Sequence, residues 1–319
     1  MIRCAPRLPL PTRDGVGPSC VALSPGPWAT ITDFLVQRFA AQPRALWLQR
    51  MADGEVVDEY GVAVTPTRPY AAPLRLYYYR EVPNEAQLPF HAEILYQDAH
   101  LLVLDKPHFL PVTPSGNYLQ QTALVRLKRA LDQPDIVPIH RIDRDTAGLV
   151  LFSLQPSTRG HYQRLFREHQ VEKIYEAVAP LRPDLALPLE RSSRIGPGTH
   201  FMQQCEQDGV PNTRTRVELL QRKGELGYYR LRPVSGHRHQ LRVHMAALGI
   251  PIVNDGIYPV LTPADALDYE RPLQLLARTL VFADPVTGME RHFSSRRSLA
   301  LAVRFDLGHS MAVRQATDQ

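Results

Sequence analysis

His140-Arg141-Ile142-Asp143-Arg144-Asp145-Thr146-Ala147-Gly148-Leu149 runs without a break into Val150-Leu151-Phe152-Ser153-Leu154. A dense polar loop, residues 140–146, feeds directly into an apolar strand, residues 149–154. A buried strand gives the loop at its mouth a rigid support. The same residue types also suit a plain turn in which Asp143 or Asp145 accepts backbone N–H groups. Outward from this stretch, residues 93–96 and 101–106 read as two strands around the turn 97–100. Residues 173–178, 213–220, 228–234 and 278–282 read as further strands. Helical patterns occupy 122–131, 159–169 and 240–248, the last stopped by Gly249 and Pro251. Strands fall in neighbouring pairs and do not alternate regularly with helices. The expected class is therefore α+β, a mainly antiparallel mixed sheet with flanking helices.

Toward the N-terminus the pattern changes. Residues 1–27 are rich in Pro and Gly without a period and read as a mobile tail. Ile31, Phe34, Leu35 and Phe39 then recur at helical spacing, with Thr30 or Thr32 as the cap. A second short helix over 45–51, the turn Asp53-Gly54, and strands at 55–57 and 74–79 follow. The expected division is a tail at 1–27, a small α+β minidomain at 28–85, the main domain at 86–307 and a frayed tail at 308–319.

Composition narrows the partner. Hydrophobic residues make up 44% and charged residues 22% of the 319, an ordinary globular balance. No run approaches the roughly 20 apolar residues that span a bilayer. Pro6, Pro9, Pro11, Arg13 and Asp14 break up any secretory core, so a cytoplasmic protein is expected. Cys4, Cys20 and Cys205 have no paired spacing, which argues against a disulfide framework and a zinc ribbon and fits a reducing cytosol. Lys and Arg outnumber Asp and Glu by 37 to 32, for a net charge of +5. That excess, mostly arginine, favours a polyanionic partner without demonstrating one, because a planar guanidinium fork suits phosphate.

Three further segments carry chemistry-bearing residues. Leu101-Leu102-Val103-Leu104-Asp105-Lys106-Pro107 is an apolar strand ending in a charged pair and a proline. Val171-Glu172-Lys173-Ile174-Tyr175-Glu176-Ala177 alternates on a strand, where Tyr175 also reads as a core tyrosine. Ser235-Gly236-His237-Arg238-His239-Gln240-Leu241-Arg242-Val243-His244 opens a helix. Its three histidines invite a metal, but arginines stand between them and no carboxylate or cysteine is near in sequence. A donor-rich, phosphate-facing helix start is the better reading.

Together these segments resemble the RluA family of pseudouridine synthases. Its His-Arg-Leu-Asp-x-x-Thr-Ser-Gly-Leu motif is matched by His140, Arg141, Asp143, Thr146, Gly148 and Leu149. Its Lys-x-Tyr-x-Ala motif is matched by Lys173, Tyr175 and Ala177. Its Thr-Gly-Arg-Thr-His-Gln-Ile-Arg-x-His motif is matched by Gly236, His239, Gln240, Arg242 and His244. Residues 98–107 are similar to the opening strand pair of that family, and residues 249–255 to its Gly-x-Pro-Ile-x-Gly-Asp stretch. The likeness spans about 92–293. His237 and Arg238 depart from the usual Arg and small residue, Ala147 replaces Ser, and Pro259 follows Tyr258 where Gly is common. The minidomain is similar in outline to a small helical RNA-binding module, shared with a ribosomal protein, that often precedes this catalytic domain.

The resemblance implies the pseudouridine synthase fold and isomerisation of uridine to pseudouridine in structured ribosomal or transfer RNA. It implies no cofactor and no metal, and a monomer is expected. It casts Asp143 as the catalytic carboxylate, as nucleophile or as base toward the ribose. Arg242 would pair with Asp143 through a bidentate fork, and Tyr175 would stack on the target base. Arg141 would fill the space the extruded base leaves. Lys106, His140, Lys173, His237, Arg238, His239 and Gln240 are the further expected RNA-binding residues. Two other classes compete: a catalytically silent RNA-binding or ribosome-assembly factor, and a glycosidic-bond hydrolase or metal-dependent nuclease. The hydrolase needs a second carboxylate, for which Asp145 is the near candidate in sequence.

Overall fold

A computed structural model describes residues 10–262 and 268–305; the tail expected at 308–319, the first nine residues and Cys4 lie outside the described residues. The chain forms two compact units. One comprises residues up to Gln87 together with Thr113–Pro134, and the other comprises Leu88–Val112 together with Asp135 onward. Among the described residues no helix is long and apolar enough to cross a membrane.

The first unit contains β1 (Ser19–Leu23), α1 (Ile31–Arg38), α2 (Arg44–Ala52), β2 (Val56–Asp58), β3 (Leu74–Tyr78) and α3 (Ala123–Leu131). Its three strands pair antiparallel in the order β1-β3-β2. Thr30, not Thr32, caps α1. Asp33 N–H donates to Thr30 Oγ1 at 3.1 Å while Thr30 N–H donates to Asp33 Oδ2 at 3.2 Å, a reciprocal capping box. Thr32 instead donates its hydroxyl to the Pro66 carbonyl. Ile31, Leu35, Trp47, Val56 and Leu76 close a core between the helices and the sheet. β1 lies inside the stretch expected to be a patternless tail: only five residues long and flanked by Pro and Gly, it is too short to show a period, yet it pairs with β3 along its whole length. Segment 113–134 is held by Glu85, whose carboxylate accepts from the N–H groups of Leu119, Gln120 and Gln121.

The second unit is built on one long sheet. Its elements are β4 (Glu93–Gln97), β5 (Leu101–Lys106), β6 (Val137–Pro138), β7 (Ala147–Ser153), α4 (Pro156–Arg167), β8 (Glu172–Pro180), β9 (Leu189–Pro197) and β10 (Gln204–Gln207). After these come β11 (Thr213–Lys223), β12 (Leu226–Pro233), α5 (Gln240–Ala247), β13 (Leu275–Ala283) and β14 (Glu290–Ser294). The order is β10-β9-β11-β12-β8-β13-β7-β5-β4, with β14 on β13 and β6 on β7. Among the described residues only β13 and β7 run parallel, so the sheet is mainly antiparallel as expected. Leu241, Met245 and Leu248 of the α5 region pack on Ala177, Ala179, Tyr229 and Leu231. Tyr162 and Leu165 of α4 pack on Leu101, Val103, Leu149 and Leu151. β9, β10 and β14 carry no sequence signal of their own. Their exposed residues alternate with inward-facing ones that are mostly polar, with Leu189, Ile195 and Phe293 the apolar exceptions, so ladder pairing holds them more than a continuous apolar face does.

Candidate active site

The β6–β7 loop, the start of β7, the middle of β8 and the start of α5 come together in the second unit. The loop closes in a turn, Thr146 N–H donating to the Asp143 carbonyl at 3.2 Å. Gly148 then lets β7 approach β13. It holds φ +108°, and a Cβ there would stand 2.2 Å from the Ala277 carbonyl oxygen. The two strands meet at the register pair Ala277↔Gly148. A glycine is therefore required two residues after the turn, because both the backbone angle and the space exclude a side chain.

Asp143 is about one quarter exposed, whereas Arg242 beside it is almost wholly buried. Arg242 Nη1 donates to Asp143 Oδ2 at 3.1 Å. The bidentate fork expected to face Asp143 faces Asp255 instead. Nε donates to Asp255 Oδ2 at 2.8 Å and Nη2 to Asp255 Oδ1 at 2.6 Å. The Asp255 carboxylate is fully buried and also accepts from the N–H groups of Ile257 and Tyr258. Its oxygens are thus fully engaged in orienting the guanidinium, and only the remaining nitrogen reaches Asp143.

Burial works to raise the Asp143 carboxyl, but the positive charge of Arg242 overcomes it, helped by His239, the Arg242 hydrogen bond and Lys106; the net position is below the ordinary carboxylate value. Burial lowers the Arg242 guanidinium, but the hydrogen bond and charge of Asp255 and the charge of Asp143 raise it above its ordinary value. His239 opens α5 in the left-handed region at φ 58°, with Nε2 3.8 Å from Asp143 Oδ1 and Nδ1 2.9 Å from the Tyr258 hydroxyl. Burial lowers its imidazole against the pull of Asp143, so at pH 7 it is mainly neutral. The permanent cation at Asp143 is therefore Arg242. Tyr175 lies on β8 opposite Ala277. Burial and the negative charge of Asp143 push its phenol above the ordinary value.

The expected RNA-binding residues divide by burial. Arg141, His237 and Arg238 are exposed, consistent with a rim. Four others are spent inside the protein. Lys106 is fully buried, its ammonium donating to the carbonyls of Pro107 and Arg144, and burial brings it down to about 7. Lys173 donates to the carbonyls of Val234 and Ser235, and burial lowers it to about 8. Gln240 accepts from Ser235 Oγ and His237 N–H and donates to the Arg214 carbonyl and Thr215 Oγ1. His140 accepts from Leu151 N–H and stacks on Phe166 at 4.4 Å, with burial lowering it to about 3. These side chains brace the loops around Asp143: Lys106 braces the 143–146 turn, and Lys173 and Gln240 brace the approach to α5.

The three histidines of the α5 segment do not converge. His237 is exposed, His239 faces Asp143, and His244 is buried among Ser193, Thr213 and Thr215. Asp145 is gripped by its neighbour Arg144, Nε to Oδ1 at 2.7 Å. Asp255 and Tyr258 are the residues the sequence reading missed as partners. Asp255 ends the 249–255 stretch, but no periodic relation links it to Arg242, 13 residues earlier.

Comparison with known proteins bears on this arrangement. Residues 100–247 match the family described as RNA pseudouridylate synthase. An uncharacterised RNA pseudouridine synthase of Synechocystis is 32% identical over 231 residues, 71% of this chain and 78% of that protein. The dual-specificity RNA pseudouridine synthase RluA of Vibrio cholerae is 31% identical, over 60% of this chain and 78% of its own. The tRNA pseudouridine(31) synthase of Saccharomyces cerevisiae is 27% identical, over 72% of this chain and 66% of its own. The solved structure of human RNA pseudouridylate synthase domain containing 4 superposes with TM-score 0.51 at 24% identity, covering 65% of this chain and 88% of that one, a likeness of fold. With the three motifs, the α+β sheet and this identity over most of the length, the chain belongs to the RluA family of pseudouridine synthases.

Proposed function

We propose that this protein isomerises uridine to pseudouridine in structured ribosomal or transfer RNA, with Asp143 as the catalytic carboxylate. The reading rests above all on one observation: a partly exposed carboxylate kept ionised by a buried guanidinium that Asp255 holds from behind. In the reaction the N1–C1′ bond breaks, the uracil turns over, and C5 joins C1′. C5 then loses its proton and N1 gains one, so no water is consumed. One ionised carboxylate directed at the ribose suffices, whether it attacks C1′ or removes a ribose proton. A hydrolase needs a second carboxylate to protonate the leaving group or activate water. Here Asp145 is paired to Arg144 and Asp255 has both oxygens occupied.

Tyr175 would offer its ring to the turned-out base, worth about 1–3 kcal/mol against an extrusion cost of a few kcal/mol. Arg141 would occupy the space the base leaves, and His237 and Arg238 would meet the phosphates. The cytoplasm is the compartment where such RNA is met, and the protein would act as a monomer. Pseudouridine mapping of total RNA tests the reading, comparing cells that carry the wild-type allele with cells that carry Asp143→Asn. At least one site is expected to disappear in the variant. Identical maps would refute the activity and return the protein to the class of silent RNA-binding factors.

A further inference from the structure

The loop between β9 and β10 bears on the site just described. It is a tight tip, Gly198 N–H donating to the Gln203 carbonyl at 3.0 Å and Gln203 N–H to the His200 carbonyl at 2.8 Å. At its end Phe201 is 80% exposed, touched by the His200 ring at 4.6 Å between centroids. A lone exposed apolar side chain is common and proves nothing. Phe201 differs in what holds it. Arg238 donates from Nη1 to the Phe201 carbonyl at 3.2 Å and from Nη2 to the Met202 carbonyl at 3.1 Å. Gln203 Nε2 donates to the Ile257 carbonyl at 3.0 Å, and Gln204 N–H donates to the Tyr258 hydroxyl at 2.7 Å. That hydroxyl also meets His239, whose other nitrogen faces Asp143, and Tyr258 N–H donates to Asp255.

The tip is therefore fixed to the segments that flank Arg242 and Asp255, with an uncovered aromatic ring on the loop and the cation of Arg238, from the start of the α5 segment, bonded to its backbone. Such a rigid ring costs little ordering entropy when a flat partner lands on it, and the chemistry that pairs an aromatic face with neighbouring positive charge is that of an unpaired base and its phosphates. We propose that Phe201 is a stacking residue for an unpaired RNA base flanking the target uridine, held in place by Arg238, Gln203 and Tyr258. This rests on the RNA-modifying reading above and adds to it a surface beyond the pocket of Asp143 and Tyr175. It also gives the unusual Arg238 a role in fixing the tip.

The test uses the full chain and two synthetic RNA hairpins, one with an all-uridine loop and one whose loop carries abasic riboses on the same phosphates. Phe201→Ala is expected to weaken binding to the uridine loop by about tenfold to a hundredfold and to leave binding to the abasic loop unchanged. Phe201→Leu should resemble Ala, and Phe201→Trp should bind like wild type. The added indole emission of Phe201→Trp should be quenched by the uridine loop alone. Equal affinity of wild type and Phe201→Ala for the uridine loop, or full rescue by Leu, would overturn stacking while leaving the RNA reading intact. If wild type binds neither hairpin, the RNA reading itself fails.

Discussion

One guanidinium stands between two carboxylates, and its orientation sets what each can do. Asp255 takes the fork of Arg242, and Asp143 receives a single nitrogen at 3.1 Å. Arg242→Lys keeps the charge and cannot satisfy both partners. Its turnover is expected to fall by about a hundredfold, as a small misplacement at a reacting group does. Wild-type turnover in that variant would refute the positioning role. Arg242→Gln removes the cation that opposes burial, so the Asp143 carboxyl rises. Because Arg242 holds the Asp143 carboxyl below its ordinary value in the wild type, the acid limb of the kcat/KM profile should move to higher pH in the variant. An unmoved limb would show that another group keeps Asp143 ionised. The convergence of Asp143, Tyr175 and Arg242 was legible because their motifs fix both type and spacing. Lys106, Lys173, Gln240 and His140 were read as RNA contacts because residue type announces charge or polarity and says nothing of direction. In the structure, neighbouring carbonyls, or for His140 a backbone N–H, take their hydrogen bonds.

Buried Lys106 makes a prediction of its own. Its pKa falls from the ordinary lysine value to about 7 in the folded protein. Between that pH and about 10 the unfolded chain binds the proton and the folded chain does not, so stability rises with pH through this window. Below it both states are protonated and the penalty is constant. Denaturant titrations at several pH values should show this rise in the wild type and its loss in Lys106→Met. A slope unchanged by that substitution would assign the effect to another group.

At the scale of elements, Gly148 joins loop chemistry to sheet geometry. Gly148→Ala would drive a methyl into the Ala277 carbonyl and force a left-handed backbone on alanine, parting β7 from β13 where the loop of Asp143 is anchored. A loss of about 2 kcal/mol or more is expected by chemical denaturation, with activity reduced further than stability alone explains. Unchanged stability would mean that β7 can shift without cost. The long elements, β5, β7, β8, β11, β12 and α1 to α5, announced themselves through apolar runs or helical periods. β9 and β10 did not, since Arg191, Ser193 and Ile195 alternate with exposed polar residues, and the strands are held by the ladders of β9 to β11 and of β10 to β9. The same silence hid the loop tip carrying Phe201.

At the scale of the whole molecule, the chain passes between its two units three times, at 87–88, 112–113 and 134–135. Sequence patterning is linear and gave a single junction near residue 85, because nothing in 113–134 announces that Glu85 will bind its backbone. Val125 of α3 lies against Gly15, 3.3 Å from where a Cβ would stand. A fragment beginning at residue 88 would leave α3 without these partners and should be less soluble than the full chain, as light scattering would show. The central claim is that an ionised Asp143, paired with Arg242, rearranges a uridine without hydrolysing it. The direct measurement is tritium release from RNA labelled at C5 of uridine, with purified protein in chelator, since C5 must lose its hydrogen when it joins C1′. The account predicts steady release by the wild type, none by Asp143→Asn, and no free uracil. Equal release by Asp143→Asn, or uracil appearing in solution, would contradict it.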